Sequence, residues 1–62
     1  MKYSAEIQRG KTWHKIACFD ALDYAILFCE AAKSYSLKLV ENWPSRKLLG
    51  VYTNGIPDRE VR

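Results

Sequence analysis

The stretch Phe19-Asp20-Ala21-Leu22-Asp23-Tyr24-Ala25-Ile26-Leu27-Phe28-Cys29-Glu30-Ala31-Ala32 decides the fold. It holds neither glycine nor proline and is rich in alanine and leucine, a composition that favours helix. Asp20 is a good N-cap, placed so that its carboxylate accepts from the backbone N–H of Asp23. Asp23 in turn suits the positive end of the helix dipole. Phe19 before the cap and Tyr24 four residues after it stand where a hydrophobic staple forms. These signals predict a helix over 20–36 with a blunt end, since no glycine follows it. At about 100° per residue, the apolar positions cover more of the circumference than one sheet requires. Asp23, Glu30 and Ser34 form only a narrow polar stripe. Leu27 is therefore expected near solvent, and Leu27 with Ala31 is read as a self-association surface for a homodimer.

Upstream of the helix, Gly10-Lys11 reads as a two-residue type II′ turn. It pairs Arg9 with Thr12, Gln8 with Trp13, Ile7 with His14, Glu6 with Lys15, Ala5 with Ile16 and Tyr3 with Cys18. That register puts Tyr3, Ala5, Ile7, His14, Ile16 and Cys18 on the helix side. Lys2, Ser4, Glu6, Gln8, Trp13, Lys15 and Ala17 fall on the other side. Downstream, 37–43 alternates as a strand, Pro44-Ser45-Arg46 reads as a turn, and 47–53 as the return strand. Gly50 inside that strand suggests a bulge or a close contact. The expected fold is an α+β two-layer β-β-α-β-β unit, an antiparallel sheet with one helix packed on one face. One domain over 1–55 is followed by a charged, Pro57-containing tail, 56–62, expected to be mobile.

Sixty-two residues allow one domain, which buries only about 60 % of its unfolded surface. There is no room for a deep cleft with supporting residues behind it, so an enzyme is not expected and a binding module is. With 48 % hydrophobic and 27 % charged residues, the chain is an ordinary globule rather than a disordered one. No apolar run approaches the roughly 20 residues of a membrane span. Met1-Lys2-Tyr3-Ser4 leads straight into strand alternation, which predicts no signal peptide. Cys18 and Cys29 are expected as buried thiols in a reducing cytoplasm; the alternative is a strand-to-helix disulfide. One histidine and two scattered cysteines make no zinc site, and no cofactor motif is present. His14 is expected as a partly buried polar residue at the sheet edge, with no nucleophile or carboxylate set to make it a base.

The net charge of +3 concentrates at the two hairpin tips, each beside a tryptophan. Trp13 with Lys15, and Trp43 with Arg46 and Lys47, are the candidate contact residues. Aromatic and arginine side chains dominate protein interfaces, so a protein partner is the first reading. Rings beside cations also suit single-stranded nucleic acid, the alternative reading.

Two resemblances bear on this. Ala5-Glu6-Ile7, Trp13, Phe19-Asp20, Ala25, Ala31-Ala32 and Asn42-Trp43-Pro44 resemble the cadence of plant ethylene-response-type DNA-binding domains. There a three-stranded sheet reads the major groove with a helix behind it. This chain lacks that family's arginine-rich first strand and adds a second hairpin. In length and architecture the whole chain is also similar to small accessory proteins of bacteriophages and prophages, including anti-defence proteins. That resemblance implies action by contact with a host protein and assigns no residue.

Overall fold

The first hairpin forms on Gly10, whose φ of 65° is the left-handed value that a type II′ turn needs at its first central position. A computed structural model describes residues 1–62, in which β1 (Tyr3–Arg9) pairs with β2 (Thr12–Phe19). The expected register holds from Arg9↔Thr12 to Glu6↔Lys15. It then shifts by one residue: Ile16 is left over, and Ala5 faces Ala17, Ser4 faces Cys18 and Tyr3 faces Phe19. This β-bulge inverts every later side chain of β2. Ala17 and Phe19 turn to the helix, while Ile16 and Cys18 turn out and are exposed. The reason is packing. The bulge exchanges a thiol and Ile16 for the larger Phe19 ring, and the small Ala17 lets the helix lie close.

Helix α1 spans Leu22–Ala31, shorter than expected at both ends. Ala21, not Asp20, is the N-cap, and no side chain caps it. Phe19 meets Phe28 rather than Tyr24, with ring centroids 5.4 Å apart. Tyr24 and Tyr35 are exposed. The helix stops at Ala31 because 32–35 turn the chain back, which brings Leu37 and Leu39 opposite Ile7 and Ala5. Gly55, at φ 84°, closes over the helix end: a Cβ there would stand 2.6 Å from the Glu30 carbonyl oxygen.

Strand β3 (Ser36–Glu41) pairs with the free side of β1, and β4 (Lys47–Thr53) pairs with β3. A second bulge beside Gly50 sets Leu39 opposite Gly50 and Val40 opposite Leu48. Gly50 also makes the close contact: a Cβ there would lie 3.0 Å from a Val61 methyl. The segment 56–62, expected to be a mobile tail, is laid against the domain. Its first two residues form β5 (Ile56–Pro57) on β4. Asp58 then takes and returns hydrogen bonds with Val51, each of 2.9 Å. Val61 packs on the core, and Arg62 reaches Glu30 at 3.7 Å.

The result is one antiparallel sheet in the order β2-β1-β3-β4-β5, with α1 on one face. The α+β two-layer class is as expected, with a fifth strand added. Ala5, Ala25, Ile26, Cys29, Leu37, Leu39 and Tyr52 form the buried core between helix and sheet. No helix is long and apolar enough to cross a membrane.

Candidate functional site: the outer face of the sheet

No helix covers the second face of the sheet. The registers place Gln8, Glu6 and Ser4 of β1 in its middle. Trp13, Lys15 and Cys18 of β2 flank them on one side, and Lys38 and Val40 of β3 on the other. Leu48 and Val51 continue the face onto β4. Ser4, Glu6 and Val40 are nevertheless buried, because the 42–46 loop folds back across them. Its Asn42 backbone N–H donates to the Lys2 carbonyl at 2.7 Å, and its side-chain amide donates to the Ser4 hydroxyl at 3.1 Å.

Arg46 closes the loop. Its two terminal nitrogens donate to the two carboxylate oxygens of Glu6, both at 2.8 Å, a bidentate fork. The bond from Arg46 is the main cause that holds the Glu6 carboxyl below the usual carboxylate range. Burial opposes the shift, and the charges of Arg46, Lys38 and Lys15 add to it. Beside this pair, the Lys38 ammonium sits over the Trp13 ring, 4.2 Å from its centroid, close enough for a cation–π contact.

The face is therefore basic. Lys11 at the hairpin tip joins Lys15, Lys38 and Arg46: four cations against one carboxylate, Glu6, while Arg9 alternates with Gln8 onto the helix side. Four of the other six carboxylates are matched elsewhere, Glu41 with Lys2, Asp58 with Arg59, and Asp23 and Glu30 with Arg62.

Of the residues singled out in the sequence, Trp13, Lys15 and Arg46 come together here. Trp43 stands in the loop between Asn42 and Arg46 and is 68 % exposed. Lys47 does not join them. It pairs with Glu41, which faces Tyr3, so strand alternation puts it on the helix side. Leu27, 54 % exposed, and Ala31 lie on the solvent side of α1, far from the outer face. Two members of the site were not singled out. Lys38 gives no local signal, since its place beside Trp13 depends on the long-range pairing of β1 with β3. Glu6 was visible only as a cross-strand partner of Lys15.

The remaining reactive groups lie apart. Cys18 is exposed on the outer face and Cys29 is buried under the helix, so the sheet separates them and the disulfide alternative falls. Burial, helped by Glu30, pushes the Cys29 thiol up to about 11. Contrary to the sequence expectation, Cys18 is not a core residue. His14 is exposed, within 3.0 Å of the Thr12 hydroxyl. No three His, Cys, Asp or Glu side chains converge in a way that could hold a metal ion. A recess of about 130 Å³ lies under the C-terminal segment, lined by Glu30, Tyr52, Pro57, Glu60, Val61 and Arg62. It is too small for an ordinary ligand site. No protein-family model, curated protein or solved structure matches the chain.

Proposed function

We propose that this protein is a non-enzymatic binding module that docks its outer sheet face on an acidic surface of a protein partner. The observation that carries the reading is the cluster on the part of the face that the 42–46 loop leaves open, where Trp13, Lys15, Lys38 and Arg46 gather around a single carboxylate. A rigid sheet presents such groups with little ordering cost on binding. Complementary charge would speed the encounter and select the partner. The mode of action implied by the phage-accessory resemblance, contact with a host protein, is of this kind.

The nucleic-acid alternative is less favoured, for a specific reason. Stacking needs a free ring face, and the Trp13 ring on this face already carries Lys38, 4.2 Å from its centroid. We further assign Leu27 and Ala31, with exposed Tyr24 beside them, to self-association as a homodimer. The compartment proposed is the reducing cytoplasm, where an exposed free thiol such as Cys18 persists unoxidised.

Affinity capture from the native cells tests the main reading, with wild type compared against the Lys15→Glu/Lys38→Glu double variant. The reading expects an acidic protein held by wild type, released by salt and absent from the variant. Recovery of DNA or RNA instead would support the alternative. A protein held equally by both would end the outer-face reading.

A further inference from the structure

The two edges of the sheet are treated differently. The β4 edge is closed from Val51 to Thr53. β5 is only two residues long and ends in Pro57, and Asp58 satisfies the backbone of Val51 beyond it. The β2 edge is open, and β2 is the longest strand, at eight residues. Natural sheets normally blunt such an edge. Here the Ile16 bulge does so only for the second half, which leaves Thr12 to Lys15 as a regular edge.

The hairpin fixes which groups this edge offers. Arg9 and Thr12 flank a two-residue turn and exchange both backbone bonds, so hydrogen-bonded and non-bonded pairs alternate from there. Gln8↔Trp13 and Glu6↔Lys15 are the non-bonded pairs. The N–H and C=O groups of Trp13 and Lys15 therefore point away from β1, toward open space. The side chains of the same two residues stand on the basic outer face.

We propose that an extended acidic segment of the protein partner adds to β2 as an antiparallel strand, bonded to the backbone of Trp13 and Lys15. The proposal rests on the reading of the outer face as a protein-docking surface and names how the partner is held. Strand addition takes affinity from main-chain bonds and specificity from alternate side chains. Opposite Lys15 the added strand places an acid, and opposite Trp13 an apolar residue. Read in its own direction, the segment is acid, any residue, apolar. A further acid two positions on would meet Lys11. A second copy of β2 is the poorer occupant, because it would bring two edges of the same sign together.

The probe is the labelled peptide Thr-Glu-Thr-Val-Thr-Glu-Thr, read by fluorescence anisotropy and by amide exchange of the intact protein. The central Val and the first Glu use their own N–H groups toward β2, whereas the Thr between them points its N–H away. N-methylation of that Val is expected to weaken binding roughly tenfold, and N-methylation of that Thr to change it less than about twofold. Exchange at Trp13 and Lys15 should slow on binding. Lys15→Glu should lose this peptide and gain its Lys-for-Glu counterpart. Equal binding of the two methylated peptides would overturn strand addition while leaving outer-face docking intact. Strand addition is also overturned by no binding at about 1 mM with both amides unprotected, by self-association through β2, or by preference for a single-stranded oligonucleotide. The outer-face reading fails separately, if the captured partner ignores Lys15→Glu/Lys38→Glu.

Discussion

Replacing Arg46 by alanine strands a buried carboxylate. The Glu6 side chain is only 6 % exposed, while Arg46 is 59 % exposed. Breaking a fully buried pair costs about 3–5 kcal/mol, and an exposed pair contributes about 0.2–1 kcal/mol. Water already screens the arginine end, and Lys15 and Lys38 remain beside Glu6 as partial substitutes. Arg46→Ala is therefore expected to cost about 2 kcal/mol, which in a domain this small lowers Tm by about 10 °C. Glu6→Gln should cost less, about 1 kcal/mol, because it leaves the more exposed partner free to rehydrate. The pH dependence has a definite sign. The Glu6 carboxyl is held below its ordinary value of 4.5. Its contribution is thus full above that value and is lost as pH falls through the lower folded-state value. The gap between wild type and Arg46→Ala should narrow over that acidic range. Thermal and urea unfolding of both variants from neutral to acid pH gives the numbers. A loss below about 0.5 kcal/mol for Arg46→Ala, with an unchanged acid limb, would show that the fork does not hold the loop.

Three further outcomes are expected. At neutral pH a thiol reagent should modify Cys18 in the native protein and leave Cys29 untouched until unfolding, as peptide mapping would show, because Cys29 is buried with its thiol raised to about 11. Gly55→Ala should cost about 2 kcal/mol or more in denaturant unfolding, since its φ is 84° and the added carbon meets the Glu30 carbonyl oxygen at 2.6 Å; a neutral result would mean that the turn does not rest on the helix end. Sedimentation at high micromolar concentration should show a dimer that Leu27→Asp dissociates without loss of fold, and a wild-type monomer would remove the self-association surface.

Local signals were readable where short-range rules govern. The Gly10 turn, the first four pairs of the hairpin, the helix body and the peculiarity of Gly50 all follow from neighbours in the sequence. The errors share a physical cause, which is that tertiary packing chose between local options of similar energy. Nothing local distinguishes pairing Ala5 with Ile16 from bulging Ile16 out, yet that choice moves Cys18 to the surface and Phe19 to the core. Asp20 has the chemistry of a cap, but the chain entering from Phe19 starts the helix one residue late. The tail looked free because its charges and Pro57 predict no element of its own; β4 supplies the partner. At the candidate site, Trp13 and Lys15 could be placed from one hairpin. Lys38 and the Arg46–Glu6 fork, 40 residues apart in sequence, required the order of strands in the sheet.

An exchange footprint on the complex with the captured partner would decide which surface this molecule uses. Slowed amide exchange is predicted at Trp13 and Lys15, whose N–H groups are free at the sheet edge, with the outward side of the helix at Leu27 and Ala31 unchanged by the partner. Protection confined to the helix, with the outer sheet face exchanging as in the free protein, would contradict outer-face docking.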